Sequence, residues 1–206
     1  MKRNINQRVL VGVSAFWLLA VGVGTGALMN YSNTANHDAM APAHWPAQTT
    51  IPRAAGQATL IMFAHPLCPC TRASLGELAE LMAHCRGLVS AHVVFFRPGG
   101  SGEDWAYSDL WRSAQAIPGV TVQTDAQGHE AGLFHGDTSG HTMLYDTQGQ
   151  LIFDGGITAS RGHSGDNDGR DAIETLLHGG TVPRAVTPVF GCLILDPKSK
   201  TANGGK

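Results

Sequence analysis

The chain has 206 residues, with 14 basic and 16 acidic side chains, four cysteines and 43% hydrophobic residues. This length suits one domain of ordinary size with appendages, and the hydrophobic content is enough for a packed core. Three of the basic residues, Lys2, Arg3 and Arg8, precede the first apolar run, so the chain after residue 30 carries 11 basic against 16 acidic residues. That acidic balance argues against a nucleic-acid partner.

The first apolar run, residues 9–29, contains no charged residue. As a helix rising 1.5 Å per residue it is long enough for the ~30 Å hydrocarbon core of a bilayer. The basic residues ahead of it predict a cytoplasmic N-terminus, residues 1–8, and an exported remainder. We therefore expect a single-pass anchor in a bacterial inner membrane and a periplasmic domain, in a compartment where disulfides form. Thr25-Gly26-Ala27 resembles a signal cleavage site, so a cleaved secretory signal is the open alternative.

Residues 30–57 are rich in Ala, Pro, Asn and Thr and show no sustained apolar period, which predicts a linker between the membrane and the domain. The domain is predicted over residues 58–195, and a flexible tail over residues 196–206. Apolar periodicity and turn residues divide the domain into elements. In chain order these are a strand at 58–64, a helix at 71–85, a strand at 89–96, a helix at 104–117, a strand at 120–123, a helix at 126–134, strands at 141–145 and 151–153, and a helix at 168–178.

This order places parallel β-α-β units first, then an antiparallel hairpin and a covering helix, which predicts an α/β fold of the thioredoxin type, a three-layer sandwich. Four sequence runs carry a closer resemblance: HPLCPC, TSGHTMLYDTQGQL, GGITASRGHSGDNDG and PVFGC. Together they resemble the membrane-tethered periplasmic thiol-disulfide proteins of the thioredoxin superfamily, in particular bacterial RedB-type proteins. The resemblance implies thiol-disulfide exchange with protein thiols or disulfides of the periplasm, without a cofactor.

The chain departs from the thioredoxin pattern at two places. The cysteines stand as Cys68-Pro69-Cys70, one residue closer than the Cys-x-x-Cys of thioredoxins. The position of the family's cis-proline, counted back from the hairpin turn, falls on Gly140 or His141. We expect Gly140 and His141 to shape the surface that contacts the substrate, with room left beside the thiols.

The redox hypothesis assigns the attack to Cys68, which holds the position of the attacking cysteine in thioredoxins. A helix N-terminus and the nearby Arg72, a further predicted substrate contact, are both expected to lower its pKa. Cys70 is expected to resolve the mixed disulfide, and strain across one intervening residue would raise the reduction potential. Cys192 is predicted to be a third redox thiol or to pair with Cys85, which otherwise reads as a buried, inert thiol.

Two alternatives stay open at this point. In the first, Cys68 and Cys70 are structural and each bonds elsewhere, for example to Cys85 and Cys192. In the second, the chain binds copper or assembles metalloproteins, with His65, Cys68, Cys70 and His141 as ligands, because thiolates and imidazoles suit Cu(I) or Zn. Residues 161–168 form a polar, glycine-rich loop, which we expect at the end of the sheet opposite the cysteines, as a partner surface or a solvated loop.

Overall fold

The structure is a computed structural model that describes residues 2–36 and 39–194. The predicted tail, residues 196–206, lies outside the described residues, as does residue 195. The described residues divide into two compact units, one that ends at Thr34 and one that begins at Ala35. The first unit holds helix α1, Lys2–Ser32, whose part Gln7–Ser32 is long and apolar enough to cross a membrane.

The second unit is built on one five-stranded sheet. Its strands are β1 (Ala58–Ala64), β2 (Val89–Arg97), β3 (Val120–Ala126), β4 (His141–Tyr145) and β5 (Leu151–Gly156). They lie in the order β3-β2-β1-β4-β5; β1, β2 and β3 are parallel, β4 runs antiparallel to β1, and β5 antiparallel to β4. This is the topology expected from the sequence. The fold is thioredoxin-like.

Helices cover both faces of the sheet. They are α2 (Pro69–His84), α3 (Asp109–Gln115), α4 (His129–Phe134) and α5 (Asp168–Leu177). The predicted helix at 104–117 is divided into a 3-10 turn, Glu103–Ala106, and α3, because Ser108 caps α3 by accepting a hydrogen bond from the N–H of Trp111 at 3.3 Å. The other helices begin and end within three residues of their expected bounds.

Strand β1 is central, and its alternating side chains serve two separate cores. Leu60 and Met62 pack into the core beneath α2, α3 and α5. Ile61 and Phe63 pack into the opposite core with Phe134 of α4. Because every residue of β1 is buried, the chain that leaves its carboxyl end is held from both faces, and this chain carries the cysteines.

The segment predicted as a linker differs from that expectation over residues 39–57, which pack against the folded unit. The Trp45 ring lies 5.1 Å, between centroids, from the rings of both Phe134 and Tyr145. The N–H of Trp45 donates to the carbonyl of Gly149 at 2.8 Å, so this stretch pairs with the β4–β5 turn. The apolar residues are scattered, without a period of 2 or 3.6, which is why the sequence pattern does not reveal the packing.

A buried carboxylate in α2 fixes the loop between β5 and α5. Glu77 has a side chain only 1% exposed and accepts hydrogen bonds from Gly165 N–H at 2.7 Å, Asn167 Nδ2 at 3.0 Å and Arg170 Nη1 at 2.6 Å. The loop is thereby tied to the middle of α2, and Gly162, near its start, reaches Cys70 at the end that bears the cysteines. The expectation that the loop lies at the opposite end was wrong, because β5 is antiparallel to β4 and therefore runs in the same direction as β1, whose carboxyl end leads to the cysteines.

Candidate functional site

Cys68 lies where the chain turns from β1 into α2. The N–H of Cys68 donates to the carbonyl of His65 at 3.1 Å, and Cys68 is the N-cap residue of α2 with φ −88° and ψ 120°. Pro69 takes the first helical position, where its missing N–H costs no hydrogen bond. Cys68 therefore stands at the positive end of the α2 dipole, although its side chain makes no capping hydrogen bond.

A pair of buried hydroxyl groups fixes this turn against the loop before β4. The Thr71 hydroxyl donates to the carbonyl of His65 at 3.1 Å, so the Ser139 hydroxyl donates to Thr71 across 2.7 Å. Ser139 Oγ also accepts from the N–H of His65 at 2.9 Å. Sequence reasoning missed both hydroxyl residues, although each adjoins a predicted site residue.

Gly140 stands next to Ser139 at the predicted cis-proline position. Its φ is +90°, which a side chain adopts only under strain, and its N–H donates to the carbonyl of Phe63 at 2.7 Å. A Cβ atom at Gly140 would lie 2.8 Å from the Ser74 hydroxyl of α2. The described residues contain no cis peptide bond, so the loop is closed here by a glycine with close helix contact.

Three of the four cysteines come together at this turn. Cys68 is 1% exposed and Cys70 is 8% exposed, whereas Cys192 is half-buried. The Cys68 sulfur is in contact with the thiols of Cys70 and Cys192 and with the backbone of Cys192. All are free thiols in this structure.

Of the three thiols, Cys68 is the one whose pKa lies below its ordinary value. Burial by itself raises the pKa of Cys68, but the contacts of its sulfur outweigh burial and hold this pKa below its ordinary value. The largest lowering effects come from the thiol and the backbone of Cys192, and the backbones of Thr71 and Cys70 add to them. The last two belong to the helix N-terminus, as the sequence predicted.

The pKa values of the two neighbouring thiols, Cys70 and Cys192, are raised instead. Burial raises the pKa of Cys70, and the charge of Cys68 and the contact with its sulfur raise this pKa further. The Arg161 guanidinium and the Gly162 backbone lower the same pKa, but by less. Burial and the contact with Cys68 raise the pKa of Cys192 to about 12. The arrangement thus favours the thiolate at Cys68 over a thiolate at Cys70 or Cys192.

The chain after α5 brings Cys192 to the site, and we call residues 188–194 the capping segment. Ser139 N–H donates to the carbonyl of Cys192 at 2.8 Å, and Ile194 N–H donates to the carbonyl of Asp137 at 2.7 Å. These two bonds align the segment antiparallel to the strand-like stretch before Gly140. The room expected beside the thiols next to the missing proline is therefore occupied, on the Ser139 side, by the chain itself.

Polar groups from two distant parts of the chain hold the capping segment at Gly191. The Gly191 carbonyl accepts from Arg161 Nη1 and, at 2.9 Å, from Asn36 Nδ2, while Arg161 Nη2 donates to Asn36 Oδ1 at 2.9 Å. A Cβ atom at Gly191 would overlap the Ser139 carbonyl oxygen, so only glycine allows this approach. This contact joins the polar loop at residues 161–168 to the PVFGC run.

Two of the predicted substrate-contact residues are engaged elsewhere. Arg72 is 65% exposed and pairs with Asp109 of α3, rather than with a cysteine. His141 is 2% exposed, and its Nε2 lies 2.6 Å from Oδ1 of Asp154. Asp154 also accepts from the N–H of Ala41 at 2.9 Å, so this pair helps to fasten residues 39–57 to the sheet.

The predicted metal ligands are not gathered into one cluster. The Nδ1 atom of His65 accepts from the N–H of Leu67 at 3.2 Å, its ring stacks 6.1 Å from Phe96, and burial lowers its pKa. His141 lies with Asp154. Within residues 2–36 and 39–194 no group of three or more His, Cys, Asp or Glu side chains has the arrangement of a metal site.

Cys85 is apart from the site. It is fully buried in the core beneath α2, and burial raises its pKa above the ordinary thiol value. This is the inert thiol expected from its place near the end of the apolar face of α2.

No protein-family model and no curated protein matches the chain. Solved structures do. An uncharacterised conserved protein from Geobacillus kaustophilus aligns with a TM-score of 0.56 and 20% identity over 81% of this chain and 95% of the other. A hypothetical protein from Sinorhizobium meliloti aligns with a TM-score of 0.56 and 18% identity over 79% and 96%. At such identities the likeness is one of fold.

A third aligned structure has a described activity. A secreted disulfide oxidoreductase of Mycobacterium tuberculosis, homologous to DsbE of Escherichia coli, aligns with a TM-score of 0.43 and 14% identity over 61% of this chain and 83% of the other.

Proposed function

We propose that this protein is a thiol-disulfide exchange protein, anchored in a bacterial inner membrane by α1, whose Cys68 thiolate attacks disulfides of periplasmic proteins. The observation that carries the proposal is the position of Cys68, which caps the N-terminus of α2 beside two further thiols and has a pKa held below its ordinary value against the opposing effect of burial. A lowered pKa favours the thiolate, which is both the attacking and the leaving form of a cysteine in exchange. Cys70, of the predicted Cys-Pro-Cys pair, is a second thiol within reach.

The membrane placement rests on α1 and its flank. Residues Val9 to Met29 of this helix are exposed and apolar, and Lys2, Arg3 and Arg8 precede them. An apolar surface of this size requires a non-aqueous cover, and the basic residues favour a cytoplasmic N-terminus. On this proposal the protein remains with membranes after alkaline extraction and keeps its N-terminal residues; release in a shortened form would indicate a cleaved signal instead.

Exchange with a small disulfide tests the activity. The reduced full chain in detergent is mixed with bis(2-hydroxyethyl) disulfide, and adducts are followed by mass spectrometry after acid quenching. Cys68→Ala is expected to abolish exchange at the site, while Cys85→Ala, which removes a thiol 0% exposed and remote from the turn, leaves the rate unchanged. Undiminished exchange in Cys68→Ala would refute the assignment.

The copper-binding alternative uses the same cysteines with His65 and His141. Nothing in the described residues favours it, because the imidazole of His141 is held by Asp154 and that of His65 by the Leu67 N–H and the Phe96 ring. Copper titration of the reduced chain, compared with a His141→Ala variant, decides the matter: uptake that depends on His141 would support the alternative.

A further inference from the structure

The contacts of the capping segment assign a chemical role to Cys192. We propose that Cys192 is the second catalytic thiol of the site, so that the disulfide formed in exchange joins Cys68 to Cys192 rather than to Cys70. This inference rests on the proposed function of Cys68 and names the thiol that completes its reaction.

Contact with the reacting atom is the first argument. The Cys192 carbonyl accepts from the N–H of Ser139 at 2.8 Å, and Ser139 Oγ accepts from the N–H of His65 at 2.9 Å, so the capping segment is fastened beside the turn that carries Cys68. The Cys192 thiol is in contact with the Cys68 sulfur, the atom that a resolving thiol must attack. The backbone of Cys192 contacts the same sulfur, so the main chain as well as the side chain is positioned on Cys68. Cys70 makes contact through its thiol and through its N–H as part of the helix turn.

The position of Cys192 outside α2 is the second argument. Cys68 is the N-cap and Cys70 the second residue of α2, and a disulfide across one residue must be closed within the first turn of a helix. Cys192 lies in a stretch without helix or strand, 124 positions along the chain from Cys68, and meets it from a separate segment. A bond to Cys192 therefore closes without distortion of α2.

The reaction balances with the disulfide substrate as the oxidant. The Cys68 thiolate attacks one sulfur of the substrate disulfide, which forms a mixed disulfide and expels the first substrate thiolate. The Cys192 thiol then gives up its proton and attacks Cys68 Sγ; the Cys68–Cys192 bond forms, and the second substrate thiolate leaves and takes up a proton. Two electrons pass from the protein to the substrate, and the reverse sequence oxidises a substrate dithiol.

Burial of Cys68 adds a requirement for movement. At 1% exposure its sulfur meets a substrate only when the capping segment shifts, and the second step needs the segment to return. The glycine at 191 permits the close approach to Ser139, because any side chain there would overlap the Ser139 carbonyl. Gly191→Ala therefore displaces the segment while all the thiols are kept.

The test compares resolution in matched variants of the reduced full chain in detergent. Each is mixed with bis(2-hydroxyethyl) disulfide, quenched in acid, alkylated and digested without reduction, and the peptides are identified by mass spectrometry. Wild type and Cys70→Ala are expected to yield the Cys68–Cys192 peptide pair. Cys192→Ala is expected to accumulate Cys68 bonded to hydroxyethylthiol.

The Gly191→Ala variant gives a second test of the capping segment that does not remove a cysteine. We expect faster formation of the Cys68 adduct and slower resolution than in wild type, whereas Gly132→Ala, where an added Cβ meets nothing within 4 Å, behaves as wild type. Should Gly191→Ala fail to fold, the two cysteine variants decide alone.

The outcomes separate the two proposals. A Cys68–Cys70 pair in wild type, or accumulation of the adduct in Cys70→Ala and not in Cys192→Ala, overturns the role of Cys192 and leaves exchange at Cys68 intact. Resolution at the wild-type rate in folded Gly191→Ala also overturns it, because the capping segment then does not deliver the thiol. No adduct of Cys68 in any variant overturns the proposed function itself.

Discussion

Replacement of Glu77 by glutamine tests how the site is held in place. Glu77 is 1% exposed and accepts three hydrogen bonds, one of them from the guanidinium of Arg170. Glutamine keeps the size but removes the charge and turns one acceptor into a donor, so at least one buried donor loses its partner.

The structure allows the size of the effect to be worked out. Removal of one partner from a buried ion pair costs about 3–5 kcal/mol. Arg170 keeps its contact with Glu80, so we expect the lower end, about 3 kcal/mol. For a folded unit of this size each kcal/mol lowers the melting temperature by about 2–4 °C, which gives a fall of about 6–12 °C.

Glu80→Gln is the matched control, because Glu80 binds the same guanidinium but is 59% exposed. An exposed ion pair contributes about 0–1 kcal/mol, so this variant is expected to melt within about 4 °C of wild type. Thermal unfolding of the full chain in detergent, followed by circular dichroism in the sheet region, measures both. Equal shifts for the two variants, or a shift below about 3 °C for Glu77→Gln, would refute the anchoring role of Glu77.

Three further changes test other parts of the site and its support. Gly140→Ala is expected to cost about 2 kcal/mol in urea unfolding, because its φ of +90° strains a side chain and the new Cβ meets Ser74. Trp45→Ala is expected to cost about 2 kcal/mol by the same assay, since this half-buried ring packs on two aromatic rings. Cys192→Ala is expected to move the pH midpoint of Cys68 alkylation upward, because a donor that lowers the pKa of Cys68 is lost while the backbone of the capping segment stays.

Each of these has a control within the chain. Gly132→Ala adds a methyl group in open space inside α4, so it should not lower the free energy of unfolding and is expected to raise it by up to about 1 kcal/mol. Cys85→Ala should leave the alkylation profile of Cys68 unchanged, because Cys85 is not among the groups that bond to it. A Trp45→Ala chain as stable as wild type would mean that residues 39–57 do not support the fold, and a downward shift of the midpoint in Cys192→Ala would contradict its role as a donor.

The strands and helices of the folded unit were predictable because their patterns are local. β1 is a continuous apolar run and α2 follows a turn signal, so both were found within a few residues of their bounds. The order of the elements then led to the thioredoxin topology. The packing of residues 39–57 was not predicted, because Ala41, Trp45 and Ile51 are isolated apolar residues that come together only in the tertiary structure.

The site was predictable only in part, for a related reason. The place of Cys68 at the start of a helix is local, and so is the effect of that helix on its pKa. The approach of Cys192 depends on contacts of Asn36, Arg161 and Ser139 with a segment far along the chain. No spacing rule connects these positions, so the sequence left Cys192 between two roles.

The reduction potential of the Cys68 couple tests the central claim most directly. The full chain is equilibrated with graded ratios of reduced and oxidised glutathione, quenched in acid, and the fraction of Cys68 in a disulfide is measured by mass spectrometry. The account predicts one two-electron transition that includes Cys68, at a potential above about −300 mV, the range of labile rather than structural disulfides. A Cys68 thiol that stays free at every ratio would contradict it.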